Sequence, residues 1–215
     1  MKLVAETQNS LYLCRKLTKT FMEILKKFWW VGLLAILIFW VIGKYNGIAA
    51  KDQEVKRTWG DVESDYQRRS DLIPNLVNTV KGYADFEQKT LTDVIQARAS
   101  ATQVKIDPTN LTPEKLQEFQ QAQSGISSAL GRLLVVSENY PNLKANQNFL
   151  DLQAQLEGTE NRISVSRKRF NEAVQGFNTA IVGFPGNLVA KLGGFVEKGF
   201  FKAAEGAEKA PEVKF

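Results

Sequence analysis

Two charged clusters in this 215-residue chain have residue types and spacing that could do chemistry. Arg68, Arg69 and Asp71 form one. Glu160, Asn161, Arg162, Arg167 and Asn171 form the other. Guanidinium groups among carboxylates and amides can bind a partner or small ligand, or make a structural ion pair. Catalysis needs more. The chain has no histidine, the commonest general base and metal ligand. A lone cysteine, Cys14, makes neither a thiolate metal site nor an internal disulfide. Glu157 and Glu160 are near one another at i, i+3, but di-iron bundles need Glu-x-x-His pairs. Any nucleophile lacks an activating partner. The expectation is a non-enzymatic protein with no cofactor and no metal.

The clusters must be held by helices. Tyr45, Ile48, Asp52, Val55, Trp59, Val62, Tyr66 and Arg69 follow one another at steps of three and four, a heptad-type seam. Arg69 therefore sits on a mostly apolar seam and needs a carboxylate or several carbonyls. Either it makes an ion pair that fixes helix register, with Glu160 the expected partner, or it marks a binding site inside the domain. Ser70-Asp71-Leu72-Ile73-Pro74 then suggests a break, with Asp71 capping the next helix and Pro74 in its first turn. A kinked single helix competes, because Ile73, Leu76, Val80 and Tyr83 keep the earlier phase. Leu76, Val77, Val80, Tyr83, Ala84, Leu91, Val94 and Ile95 mark the second helix, which fades near Thr102.

IDPTNLTPEK is a connector, and Thr112 before Pro113 and Glu114 starts a third helix. Phe119, Ala122, Ile126, Ala129, Leu133, Val136 and Tyr140 share its apolar face. The fourth helix runs from about Asn146 to Val182 on a seam from Phe149 to Ala180, and Phe184-Pro185-Gly186 stops it. No period-2 pattern lasts long enough for a strand. The fold class is all-α: an antiparallel up-and-down four-helix bundle over residues 45–184.

Sixteen uncharged residues, FWWVGLLAILIFWVIG, separate Lys27 from Lys44. A bilayer helix prefers about 20 residues, and the flanking lysines make up the difference by snorkelling. Trp29, Trp30, Trp40 and Tyr45 lie near the ends, where aromatic rings favour the headgroup layer. Residues 28–44 are expected to form a single transmembrane helix, with membrane lipids as partners. No small-x-small cleavage site follows the run.

The net charge of +5 is uneven. Residues 1–27 hold six cations against Glu6 and Glu23, a net +4, which leaves the other 188 residues at +1. A domain so nearly neutral is not built for nucleic acid. The basic arm suits an anionic cytoplasmic leaflet, and the positive-inside rule puts the large domain outside the cytoplasm. Met22 opens MEILKKFWW and reads as a natural start. A start there would leave only Lys26 and Lys27 before the span.

Beyond the bundle, residues 185–202 place Leu188, Leu192, Phe195, Val196, Phe200 and Phe201 among lysines. They form an amphipathic segment that either contacts membrane or a partner, or folds back on the bundle. Residues 203–215 read as a disordered tail.

Three stretches carry a family resemblance: YNGIAAKDQEVKRTWGDVESDYQRRSDLIPNLVNTVKGYADFE, TENRISVSRKRFNEAVQGFNTAI and FPGNLVAKLGGF. With the span they are spread over residues 30–195, and QRRSDLIPNLV is very specific. The chain resembles the LemA family of bacterial membrane proteins. The resemblance implies one N-terminal membrane helix, a four-helix bundle, a turn at Pro74 and no established catalysis. One branch of that family is associated with building magnetosome membranes. Members typically begin just before the span, so residues 1–21 look like an extension.

Three functions compete. One is a scaffold or adaptor of the bacterial inner membrane, whose bundle binds an envelope protein or itself. Another is a sensor with a polar interior site around Arg69 and Glu160. The third is a membrane-organising protein acting through Leu188, Leu192, Phe195 and Phe200.

Overall fold

A computed structural model of the chain describes residues 2–82 and 87–202, with backbone alone for 2–21 and 24–26. Six helices are present among them: α1 Lys2–Lys81, α2 Gln88–Gln103, α3 Pro113–Ser137, α4 Pro141–Lys144, α5 Gln147–Val182 and α6 Gly186–Gly193. There is no strand among the described residues. The expected tail, residues 203–215, lies outside them, as do Tyr83 and Ala84. The chain divides into two compact units, Met1–Gly47 and Ile48–Phe215.

The first unit holds the apolar run. It is helical, which satisfies every backbone N–H and C=O internally, as a bilayer demands. Its large side chains face outward, with Trp29 64% and Phe39 75% exposed. The helix is long and apolar enough to cross a membrane, and none of its apolar window is covered by protein. Lys44 Nζ lies 5.9 Å from the Trp40 ring centroid. An interfacial lysine can take that position while its stem stays among apolar atoms.

The second unit packs the rest of α1 against α2, α3 and α5. Local chemistry starts and stops these helices. Thr112 accepts from Lys115 N at 3.4 Å, with Pro113 in the first turn of α3. Asn146 accepts from Phe149 N at 3.1 Å to begin α5. Gly194, at φ 69°, caps α6 in the left-handed region, where a side chain would be strained. The architecture is all-α, but it is not a clean four-helix up-and-down bundle. α2 has only 16 residues against 36 in α5, and α4, α6 and a terminal strap are added.

The core has two halves. Ile73, Leu76, Val80, Leu91, Val94, Ile126, Leu133 and Phe149 build an aliphatic half around α2. Trp59, Tyr66, Phe119, Phe170 and Phe201 build an aromatic half. Past the end of α2, the connector buries Ile106 and Leu111. Burying side chains of this size gives about 1.5–3 kcal/mol each before conformational entropy is counted.

The break expected at Ser70–Pro74 does not occur. Pro74 lies inside α1, which continues to Lys81. Asp71 consequently caps nothing; it is exposed and accepts from Gln67 Nε2 at 2.7 Å. Proline lacks the N–H that would bond the carbonyl four residues earlier, that of Ser70. Arg98 of α2 takes that carbonyl instead, with Nε at 2.9 Å from Ser70 O. A carbonyl orphaned by proline is thus satisfied across the helix pair, and the helix persists.

This pairing predicts coupling between Pro74 and Arg98. Arg98→Met should destabilise the domain by about 1–2 kcal/mol, since it orphans a partly buried carbonyl. In a Pro74→Ala chain the restored N–H can serve Ser70 O, so the same change should cost much less. Chemical unfolding of the four chains checks this; equal costs in both backgrounds would remove Arg98 from the explanation.

Candidate functional site

Arg69 is 1% exposed, and among the described residues it is the only arginine in the set of largest fully buried side chains. Its guanidinium reaches three residues on two other helices. Nη1 donates to Glu160 Oε1 at 2.6 Å and to Ser127 Oγ at 2.9 Å. Nη2 donates to Gln123 Oε1 at 2.6 Å and to Gln123 O at 3.1 Å. The plane of Arg69 also lies 5.0 Å from the Tyr66 ring centroid. A buried guanidinium is tolerated only with such a set of acceptors. Burial pushes the Tyr66 phenol up, against the pull of the nearby Arg167 and Arg69 charges. The side chain of Glu160 remains 44% exposed, so the pair faces water at one edge.

The two sequence clusters do not merge into one site. Arg69 and Glu160 come together. Arg68, Asp71 and Asn161 are exposed. Arg167 and Asn171 turn to a different task, gripping the chain after α6. Arg167 Nη2 donates to Lys202 O at 2.9 Å and stands 4.8 Å from the Phe201 ring centroid. Asn171 accepts from Phe201 N and donates to Phe201 O, both at 2.9 Å.

This grip belongs to a second polar constellation. Residues 195–202 form no helix. They run back as a strap over α3 and α5 and the stretch of α1 that holds Asp52 and Trp59. Asn178 bonds Lys198 through N–H and carbonyl, at 3.0 and 2.9 Å. Gln120 does the same for Lys202, at 3.3 and 2.9 Å. Gly199 N donates to Leu111 O at 2.9 Å. A Cβ on Gly199 would meet Pro113 Cα at 2.7 Å, so no side chain fits there. Phe201 stacks on Trp59, with centroids 6.1 Å apart and 14° between planes.

Lys198 is buried, and Nζ pairs with Asp52 Oδ1 at 2.8 Å. It also lies 5.2 Å from the Phe177 ring centroid. Lys56 holds the other Asp52 oxygen at 2.7 Å. Burial pushes the Asp52 carboxyl up, but hydrogen bonds from Lys198 and Lys56, with their charges, outweigh it and hold the group below its usual range.

The amphipathic segment expected over residues 185–202 therefore divides. Helix ends at Gly193. Leu188 and Leu192 are exposed, at 56% and 85%. Phe195 packs edge-on against Phe177 at 6.1 Å. Phe200 is exposed at 43%, while Phe201 beside it is buried. Past Gly193 the chain is not helical, and Val196 and Phe200 are exposed while Phe201 turns inward.

Gln123, Ser127, Gln120, Asn178, Asp52 and Lys198 were not singled out from the sequence. Asp52 carried a usable signal: a carboxylate on an apolar seam needs a partner just as Arg69 does. The amides carried none, since an uncharged polar side chain on a helix is ordinary whether it faces water or a partner. Trp59 Nε1, Arg69 Nε and Ser70 Oγ are buried without a hydrogen-bond partner. Trp59 and Ser70 line a cleft of about 100 Å³ with Tyr66, Phe119 and Gln123. Small-ligand pockets run to about 300–1,000 Å³. Among the described residues no group of three metal-binding side chains occurs.

Two predictions follow from these pairs. Glu160→Ala should destabilise the domain by about 1.5–3 kcal/mol when Arg69 is present, and by far less in an Arg69→Met chain. Strict additivity in unfolding measurements would show that the pair is uncoupled. Asp52 has a folded pKa below its unfolded one. Its contribution is therefore full above its ordinary value of about 3.9 and is lost as pH falls through the lower folded value. Thermal unfolding between neutral pH and pH about 3 should show a smaller acid-induced drop in Asp52→Asn than in the parent. An identical drop would remove Asp52 from the acid response.

Similarity to known proteins agrees with this architecture. A profile of the LemA family matches residues 58–215. Protein LemA of Metamycoplasma hominis is 26% identical over 138 residues, which is 64% of this chain and 59% of that protein. The match thus spans under two thirds of that relative's length. Magnetosome protein MamQ 2 of Paramagnetospirillum magneticum is 24% identical over 191 residues, covering 80% of this chain and 70% of that protein. Magnetosome protein MamQ of Magnetospirillum gryphiswaldense is 24% identical over 185 residues, covering 78% and 68%. The family match and the exposed apolar helix support a single-pass membrane protein. With nearly three quarters of its residues inside the family profile, the chain belongs to the LemA family.

Proposed function

We propose that this protein is a scaffold or adaptor of the bacterial cell envelope, anchored in the inner membrane by residues 28–44. Residues 1–27 are a basic arm, and residues 45–184 are the core of the adaptor domain. The strap within 185–202 closes that core, and residues 203–215 are a tail. The domain lies outside the cytoplasm, and its surface binds an envelope protein or a second copy.

One observation carries the proposal: the guanidinium layer and the cleft beside it leave little room for a ligand. The buried guanidinium of Arg69 spends four hydrogen bonds on Glu160, Ser127 and Gln123. The interior cleft beside Trp59 is about 100 Å³, too small for a typical ligand. What is left for binding is surface. Open polar grooves lie along α5, one of about 360 Å³ by Glu160, Ser164 and Arg167, and one of about 650 Å³ by Arg57, Asp65, Asn161 and Arg169. Two MamQ relatives are named as magnetosome proteins, which fits a role in organising membrane-associated proteins.

The test has two arms. Cysteines at Lys89 and Glu118, in a Cys14→Ser chain, should react with an impermeant maleimide added from outside, once any outer membrane is made permeable. Labelling only after the inner membrane is lysed places the domain inside. Photo-crosslinkers at Asn161 and Arg169 should give discrete protein adducts in living cells. A pattern no different from that of a chain carrying the span alone would refute the scaffold.

A further inference from the structure

The strap is held as a peptide ligand is held. Asn178 and Asn171 are seven residues apart on α5, about 10.5 Å along the helix. Each clasps the N–H and C=O of one strap residue, Lys198 and Phe201 respectively. Three residues span that distance at about 3.5 Å each, which requires a nearly fully extended chain. Gln120 clasps Lys202 from α3 in the same way. These amides bond only backbone, so they fix conformation and direction without regard to sequence.

Sequence is read at three points. The Asp52 carboxylate takes a cation at 198. Pro113 leaves room only for glycine at 199. Trp59 and Phe170 take an aromatic ring at 201. Phe200 faces outward and is not read. The selected pattern is Lys-Gly-x-Phe.

The strap joins the domain through Gly193 and Gly194, both exposed, the second in the left-handed region. None of the groove contacts involves that connection. A groove that reads a segment, and a glycine hinge that delivers it, together make the geometry of segment exchange between identical chains. Anchoring in one membrane raises the effective concentration of neighbouring copies.

We propose that the α3–α5 groove is a recognition site for an extended Lys-Gly-x-Phe segment, filled in cis by residues 198–202 and in trans by the same segment of a second copy. Exchange through this groove links neighbouring copies, which deepens the scaffold reading and rests on it for the need to self-associate. The recognition itself does not depend on that reading, and neither does its test.

Two differently tagged full-length chains, both Cys14→Ser, are co-expressed. One carries Asp52→Lys and Gln120→Cys. The other carries Lys198→Glu and Lys202→Cys. Each then opposes its own strap by like charge, while the second chain's strap matches the first chain's groove. A short bismaleimide should give several-fold more mixed dimer than it does from chains with the cysteines alone. No enhancement, with helix content equal to the parent, overturns the exchange.

If the charge reversals lower helix content, a labelled peptide of residues 195–202 decides. It should bind full-length Phe201→Ala chain, whose own strap is weakened, at least ten-fold more tightly than the parent. The peptide carrying alanine in place of Lys198 should lose that binding. Equal binding to both chains, or none, overturns the proposal. Mixed dimer without adducts to other proteins in cells would uphold the groove while refuting the wider adaptor role.

Discussion

A guanidinium in the middle of the helical domain constrains everything packed around it. Arg69 on α1 needs acceptors, and the acceptors come from α3 and α5. A sliding shift of one turn, about 5.4 Å, would strand its charge away from Gln123 and Glu160. Apolar contacts tolerate such slips far better than a buried charge does. Arg69 therefore sets the register of three helices at once. It also separates the two halves of the core, aliphatic around Leu76 and Leu133, aromatic around Trp59 and Phe170.

The two halves are closed by different means, and chain length explains why. With 16 residues, α2 can lie along the aliphatic half and little more. The aromatic half is finished by non-helical chain, which brings unpaired backbone groups into contact with apolar surface. Such groups must be satisfied. On the strap, Asn171, Asn178 and Gln120 do this with side-chain amides, supplying from helices the bonds a neighbouring strand would give. Lys198 can then be buried because Asp52 and the Phe177 ring receive its charge. The strap and the Arg69 layer meet on α5, where Arg167 and Asn171 follow Glu160 by about two and three turns.

Membership of the LemA family and the apolar helix give the molecule its place. Of the polar residues that first suggest chemistry, Arg69, Glu160, Arg167 and Asn171 join distant parts of the chain. Their geometry is nevertheless informative about function. It commits the Arg69 guanidinium to acceptors on α3 and α5 and leaves open polar grooves along α5.

The sequence alone determined the features that depend on neighbours within a few residues. Sixteen uncharged residues between lysines define the span. Thr112-Pro113 and Asn146 define helix starts through bonds of local reach. Periodicity placed Arg69 inside, and its charge required a partner. Tertiary structure decided what rests on distant donors. Pro74 reads as a break because it has no N–H to give the Ser70 carbonyl; Arg98, 28 residues from Ser70, supplies the donor instead. Arg167 and Asn171 read as companions of Glu160, since all stand close on one helix. Packing turns them instead to Phe201 and Lys202, at least 30 residues away. Spacing along a helix fixes which face a residue shares, but the identity of what it meets there depends on where the rest of the chain returns.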